Sequence, residues 1–467
     1  MNVLFAAAEV APLIKTGGLA DVAGALPPAL RRLGHDVRIV MPGYRRVLAA
    51  SAPAGPVHVA LLPAGDRIEL MRVFETQIGA TPVYLLDIPG AFDRDSVFGY
   101  GDDDRRFILF TRGILALMLH LQERAGWRAD LVHANDWHTG LLSNYLKTSY
   151  AQIFPGVASV YTIHNLAYQG FFNPFTLYLA GLDGAGEPYI NYMARGISFA
   201  DIVSTVSPTY AQEILTPEYG EHLDGLLLAR QDHLAGVLNG IDYGVFDPAT
   251  DPQIVAHYSA DDPGGKAACK AALQLECGLT VDPNRPLIGM VTRLVEQKGL
   301  DLLDAAMPWL IGQTDAQLVL LGTGEPDLER DFAEHMRLSP GRVSAQLRFD
   351  AALAQRIYAG CDVFLMPSRY EPCGLGQLIS LRYGTVPIVR ATGGLADTVR
   401  EGYDGNGFQF HSYDVDHLIA AIMRCLTCFR DTHGWPVLRE RGMREDHSWD
   451  ASAREYVGLY EWACREA

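Results

Sequence analysis

The sequence predicts two doubly wound α/β domains, and three observations carry that prediction. Short apolar runs alternate with segments whose apolar residues recur at helical spacing, the pattern of buried strands covered by helices. The chain has 467 residues, more than one ordinary core supports. The alternation breaks around Leu238-Asn-Gly-Ile-Asp242, passes through Asp247-Pro-Ala-Thr-Asp-Pro252, and then starts again.

In the first half, residues 3–8 form an apolar run that reads as a buried strand, and a helical pattern covers residues 19–33. Residues 37–40, 57–62 and 83–86 read as further strands. The stretch 105–121 carries Phe107, Phe110, Ile114, Met118 and Leu121 at helical spacing, and strands follow at 130–134 and 157–163. In the second half, strands are expected at 286–291, 318–321, 363–366 and 386–389, with helices at 300–310, 352–359 and 416–428. Pro387 within the 386–389 run argues for an end or edge position, because proline donates no ladder hydrogen bond. A last helix from Trp449 places Tyr456 and Tyr460 on one face, a stripe that reads as packing against either domain.

Composition narrows the function. Half the residues are hydrophobic (49%) and 20% are charged, which is globular. A net charge of −17 disfavours a nucleic-acid partner, since a phosphate backbone is repelled except at a local basic patch. The seven cysteines lie in the second half, odd in number and without zinc-ribbon spacing, so a reduced, cytoplasmic protein is expected. No basic segment precedes the first apolar run and no run is long enough for a membrane span, so neither a signal peptide nor a membrane partner is expected.

In doubly wound sheets, ligands sit beyond the carboxyl ends of the strands. The first strand leads into Lys15-Thr-Gly-Gly18, where a glycine pair opens a helix and Lys15 adds a charge. Such a turn either aims backbone N–H groups at an anion or is a tight turn whose lysine faces water. The 130–134 strand leads to Asp136-Trp137-His138, and the 157–163 strand to His164-Asn165. In the second half the strand ends carry Arg293 and Lys298, then Gly322-Thr-Gly324, then Glu371-Pro-Cys373-Gly374-Leu375, then Thr392-Gly393-Gly394. Arg293 and Lys298 together suit a diphosphate, one as a planar fork and one as a point charge; either alone suits a surface ion pair. Thr392-Gly393-Gly394 repeats the anion-nest logic. Glu371 is either a sugar-binding or charge-stabilising carboxylate or a first-turn helix acid. Tyr358 could stack on a flat base, although its helical position favours the core.

Other chemistries fit less well. His133, Asp136, His138 and His164 are metal-capable types, but no helical His-x-x-x-His accompanies them, so no metal site is expected. Asp102-Asp103-Asp104 stands at a helix start, where acids are favoured electrostatically. Gly322-Thr-Gly324 lacks the third glycine of a dinucleotide fingerprint, and no Walker A motif is present. A phosphate site without these motifs points to a nucleotide sugar or sugar phosphate, with no separate cofactor.

The motifs together resemble those of bacterial glycogen synthases and plant starch synthases. The resemblance rests on the run from Glu9 through Lys15-Thr-Gly-Gly18 and Asp21 to Pro27, on His133-Ala-Asn-Asp-Trp-His-Thr-Gly140, and on Tyr161-Thr-Ile-His-Asn-Leu-Ala-Tyr-Gln-Gly170. It continues through Leu238-Asn-Gly-Ile-Asp242, Thr292-Arg-Leu-Val-Glu-Gln-Lys-Gly299, the stretch from Pro367 to Gln377, and Thr392-Gly-Gly-Leu-Ala-Asp-Thr398. It implies a GT-B fold, with two Rossmann-like domains facing across a cleft: residues 1–242 joined by the terminal helix 447–467 as the acceptor and catalytic domain, and residues 243–446 as the nucleotide-sugar domain. It also implies glucose transfer from ADP-glucose to the non-reducing-end 4-hydroxyl of an α-1,4-glucan such as glycogen, with retention. No residue read here distinguishes ADP-glucose from UDP-glucose independently. By motif position, Lys15, Gly18, Arg293, Lys298, Thr392 and Gly393 would hold the diphosphate, with Gly17 and Asp21 in the same substrate-binding set. Tyr358 would lie against the base. Asp136, His164, Asn239 and Glu371 would surround the transferred glucose, near the Cys373-Gly374-Leu375 backbone. The sequence departs from the family at Gly101–Phe107 and at Asn406, neither of which is a carried-over site residue. A catalytically silent glucan-binding or regulatory paralogue is the alternative, and the intact set of site residues argues against it.

Overall fold

The computed structural model describes residues 1–51, 54–182 and 189–467. The chain divides into two compact units, Met1–Asn239 with Trp449–Ala467, and Gly240–Ser448. The first unit contains β1 (Asn2–Ala6), β2 (Asp36–Pro42), β3 (His58–Ala64), β4 (Arg67–Ile78), β5 (Thr81–Asp87), β6 (Leu131–Asn135), β7 (Ala158–Ile163), β8 (Phe171–Phe172), β9 (Ile190–Asn191), β10 (Ile202–Thr205) and β11 (Leu234–Gly236). The second contains β12 (Leu287–Val291), β13 (Gln317–Leu321), β14 (Val343–Gln346), β15 (Val363–Met366), β16 (Val386–Arg390) and β17 (Phe408–Phe410).

Nine strands of the first unit form one sheet in the order β11-β10-β7-β6-β1-β2-β5-β4-β3, while β8 and β9 pair separately. The central strands β1, β6 and β7 run parallel and carry apolar residues on both faces, because helices cover each side. The sheet departs from parallel pairing at one edge. There β4 runs antiparallel to both β3 and β5. The twelve-residue β4 alternates buried Met71 and Val73 with exposed Leu70 and Arg72, so it is no continuous buried run and its sequence does not read as a core strand.

The second sheet is parallel throughout, in the order β14-β13-β12-β15-β16-β17. Here Pro387 takes the end rather than the edge alternative, since β16 lies between β15 and β17 and proline is its second residue. Its pairing with β17 begins only at Ile388, so proline stands before that ladder starts and displaces no hydrogen bond in it.

The terminal helix Trp449–Glu466 packs on the first unit, against the helix Gly18–Arg32 and strands β6, β7 and β10. Tyr456 and Tyr460 are buried there, and the Tyr460 hydroxyl meets His133 Nδ1 at 2.7 Å. His133 Nε2 meets Thr162 Oγ1 at 2.6 Å, so this histidine is a satisfied core group, and burial holds its pKa well below the ordinary imidazole value. In each sheet the strand order reverses beside one strand: β1 lies between β2 and β6, and β12 between β13 and β15. The loops leaving those strands therefore diverge and open a crevice at the carboxyl edge.

Candidate functional site

In the first unit three adjacent strands, β7, β6 and β1, deliver His164, Asp136 and the segment from Glu9 to Gly18 to the same edge of the sheet. Lys15 is exposed, and its ammonium pairs with Asp21 at 2.7 Å. Glycine at position 18 is not required by packing, because a Cβ there would meet no protein atom within 4 Å. Gly17 is different. Its N–H donates to the carboxylate of Glu9 at 3.1 Å, and Thr16 gives the same carboxylate both its N–H and its hydroxyl. The turn thus behaves as an anion nest, but two of its N–H donors are already taken by the chain's own carboxylate.

Asp136 has φ 54° and ψ −179°, a left-handed conformation that costs a non-glycine residue on the order of 1–3 kcal/mol. Its Oδ1 accepts the His164 N–H at 2.8 Å. Although an edge of the residue reaches solvent, protein encloses the carboxyl, and its pKa is pushed up to about 7, first by burial and then by the nearby charge of Glu9. The N–H groups of His164 and Asn165 oppose that rise. A carboxyl raised by folding stays protonated in the native state at pH values where the unfolded chain has ionised. Native stability therefore falls as pH climbs from about 4 to about 7 and levels off above. Asp136→Asn removes this titration. Relative to wild type, the variant should gain on the order of 2–4 kcal/mol between pH 4.5 and pH 8, read as a divergence of their unfolding midpoints. Parallel midpoints at the two pH values would contradict the raised pKa.

The His164 ring is fixed by Asn135, whose Oδ1 lies 2.9 Å from Nε2, and Asn135 in turn donates to the Ala6 carbonyl at 3.1 Å. Burial pushes the imidazole down to about 3, so it is neutral at ordinary pH. Asn239 ends the first unit, with its Oδ1 buried and without a hydrogen-bond partner among the described residues. His138 stacks on Trp137 at 4.0 Å, and neither of its ring nitrogens has a partner there.

The second unit brings its candidates together from β12, β15 and β16, again adjacent strands. Arg293 is exposed and makes no side-chain hydrogen bond or ion pair with another described residue. Lys298 instead reaches Glu371 at 2.7 Å, with both side chains largely buried (17% and 9% exposed). Ser368 Oγ donates to the same Glu371 oxygen at 3.1 Å. Gly299, with φ 72°, allows the β12 loop to lie on the Pro367 carbonyl, which a Cβ would strike at 2.0 Å. Gly393, with φ 45°, does the same against the Glu371 carbonyl, and the Gly394 N–H donates to the Glu371 and Pro372 carbonyls, each at 3.2 Å. Thr392 is fully buried beneath this contact. Gln377 fastens the next turn by donating to the Cys373 and Gly374 carbonyls, both at 3.0 Å; Cys373 is buried, and Leu375 caps the helix Gly376–Arg382. Arg390 supports the Glu371 loop from below, its Nε donating to the Ser368 carbonyl at 2.9 Å.

The Tyr358 ring is largely enclosed, 4.9 Å from Phe364 and 6.3 Å from Tyr383, and the residue is 6% exposed. The acids at 102–104 are engaged structurally: Asp102 pairs with Arg94, Asp103 with Arg106, and Asp104 accepts from Thr176. No three metal-capable side chains converge among the described residues. Asn406, the departure noted above, is buried and ties Thr398 to Glu445. Sequence reasoning missed one group: Glu9, whose position between the first strand and a glycine pair was the available signal.

Two-domain comparisons agree with this arrangement. Residues 2–229 match the starch synthase catalytic domain, and residues 285–428 match glycosyl transferases group 1. A glycogen synthase of Syntrophotalea carbinolica is 47% identical, with 99% of each chain covered. The chain belongs to the glycogen and starch synthase family. A second family member, the glycogen synthase of Anaeromyxobacter dehalogenans, is 48% identical over 98% of each chain. Among solved structures, the catalytic domain of Arabidopsis thaliana starch synthase IV, bound to ADP and acarbose, superimposes with a TM-score of 0.89 at 34% identity, covering 99% of each chain. A sucrose-phosphate synthase from Thermosynechococcus elongatus shares the fold at 19% identity and a TM-score of 0.59, with 98% of each chain covered. Both units thus have the Rossmann-like, GT-B architecture of this family.

Proposed function

We propose that this enzyme transfers glucose from ADP-glucose to the non-reducing-end 4-hydroxyl of an α-1,4-glucan, with retention of configuration. The observation that carries this reading is the end-to-end likeness to a starch synthase whose structure holds ADP and acarbose. In the proposed site, Lys15, Arg293 and Lys298 offset the charge that builds on the departing diphosphate, together with backbone N–H groups at Gly18 and Gly393. Asp21 holds Lys15, as in the ion pair described above. Asp136 and Asn239 take glucose hydroxyls; the unpartnered Asn239 Oδ1 is an acceptor awaiting a donor.

As the glucosyl centre becomes oxocarbenium-like, the Glu371 carboxylate or the His164 carbonyl stabilises its positive charge. A neutral His164 ring suits this neighbourhood, because a cation there would oppose the developing charge. Attack comes from the face the diphosphate leaves, and a phosphate oxygen takes the acceptor proton. Glu371 in this scheme is not half of a glycosidase-like carboxylate pair, since its near partners are a lysine and a serine.

The test is labelled-glucose transfer to glycogen with ADP-glucose and UDP-glucose compared side by side. Preference for UDP-glucose, or no transfer from either, overturns the donor assignment or the activity. With three cations allotted to the diphosphate, transfer is expected to be undiminished in EDTA; activity lost to chelation and restored by added metal would refute that allotment. A cytoplasmic location is part of this proposal, and every cysteine among the described residues is a free thiol.

A further inference from the structure

Glu9 has no part in the scheme above, yet its surroundings are unusual. The carboxylate is 5% exposed and has no lysine or arginine partner within ion-pair distance among the described residues. Its charge is met instead by three donors from the turn it faces: the Thr16 N–H, the Thr16 hydroxyl and the Gly17 N–H. A Cβ at position 17 would stand in ordinary contact, 3.4 Å from Glu9 Oε1, so the carboxylate lies directly against this part of the turn. The next residue presents the opposite situation, because nothing of the protein stands within 4 Å of a Cβ at Gly18.

The turn is therefore divided between two anions. Thr16 and Gly17 give their donors inward to Glu9, which leaves Lys15 and the start of the helix at Gly18 facing outward. Left to itself, a run of consecutive N–H groups beside a lysine can accept an anion in several registers. Filling part of the nest with a fixed carboxylate selects one. Charge-assisted hydrogen bonds of this kind are among the stronger ones a turn can make, so the register is held firmly.

We propose that Glu9 is a positioning residue for the donor diphosphate: it locks the Thr16–Gly17 backbone so that only Lys15 and Gly18 meet the phosphates. This rests on the reading of Lys15 and Gly18 as donor contacts. Glu9 itself touches no substrate in this account. The role is carried by a charged pair of acceptor oxygens, so a glutamine, which keeps one acceptor carbonyl at the same reach but loses the charge and the second acceptor, should replace it in part, whereas alanine should not.

The test is steady-state kinetics of the full chain with ADP-glucose and glycogen for Glu9→Ala, Glu9→Gln, Thr16→Val and Lys15→Ala, each checked for folding by its thermal midpoint. Glu9→Ala is expected to raise KM for ADP-glucose about 10–100-fold, with KM for glycogen and kcat changed less than about fivefold. Glu9→Gln should fall between wild type and alanine, about three- to tenfold above wild type in the same KM. Thr16→Val loses one hydroxyl donor while keeping the backbone donors, and should raise the same KM about three- to tenfold, providing a reading even where Glu9→Ala folds poorly. Unchanged donor KM in both Glu9→Ala and Thr16→Val overturns the proposal, as does a Glu9→Gln loss equal to that of alanine. Lys15→Ala separates the two levels. If it raises donor KM while Glu9→Ala and Thr16→Val do not, only the role of Glu9 fails; if it too is silent, the donor reading of the turn fails.

Discussion

Glu371→Gln is expected to lower kcat by about 10²–10³-fold while leaving the affinity for ADP within about threefold of wild type. The residue is 7% exposed, and its carboxylate accepts from Lys298 Nζ at 2.7 Å and Ser368 Oγ at 3.1 Å. A glutamine carbonyl oxygen accepts from both, so the loop and the Lys298 position are retained. What disappears is the negative charge, and a charge matters most when the glucosyl centre turns cationic. A fixed group that stabilises only the transition state shows its loss in kcat rather than in binding. Alanine is the less informative substitution. It leaves the Lys298 ammonium largely buried without its partner, at a cost on the order of 3–5 kcal/mol, and would confound catalysis with loop collapse. The measurement is kcat with ADP-glucose and glycogen beside an ADP titration. Wild-type turnover in Glu371→Gln would remove this residue from the catalytic set.

Arg293→Ala and Lys15→Ala should each weaken donor use by the value of a charge-assisted contact, on the order of 1.5–3 kcal/mol, or about 10–100-fold in kcat/KM. The two differ in what else they break. Arg293 is exposed and unpaired among the described residues, so its removal should leave the unfolding midpoint unchanged. Lys15 gives up an exposed ion pair with Asp21, worth roughly 0.2–1 kcal/mol at most. Arg293→Lys should fall between wild type and alanine, because it keeps the charge and loses the planar fork. Kinetics at low and moderate salt check the assignment further: wild type should lose donor affinity as salt rises, and each alanine variant should lose less. Equal kcat/KM for Arg293→Ala and wild type would remove Arg293 from the diphosphate contacts.

The parts of the fold that were legible share one property. Strands such as β1 and β15 are nearly continuous apolar runs, because helices on both faces bury all but one residue of each, and such runs announce themselves in sequence. The strand β4 did not, since half its residues face solvent and its place is set by pairing with β3 and β5. Pro387 left end and edge positions open for a related reason: whether a strand is central depends on what pairs beside it and where that pairing begins, and β17 contributes three residues that carry little signal. For Tyr358, the helical position pointed to the core, where the ring lies against Phe364.

The sequence by itself determined which residue types stand at the strand ends: Lys15-Thr-Gly-Gly18, Asp136, His164, Arg293, Lys298, Glu371 and Thr392-Gly393. These are local patterns, set by strand length and by the turn that follows. Only the tertiary structure decided what those residues do to one another. It put Lys298 on Glu371, seventy-three positions away, through the adjacency of β12 and β15. It forced Asp136 into a left-handed backbone beside the His164 N–H, and it turned Glu9 back into the nest that the glycine pair opens. The physical reason is that periodicity reports a residue's own burial, whereas strand order and loop approach are set by packing between segments far apart in the chain, which leaves no mark at either position alone.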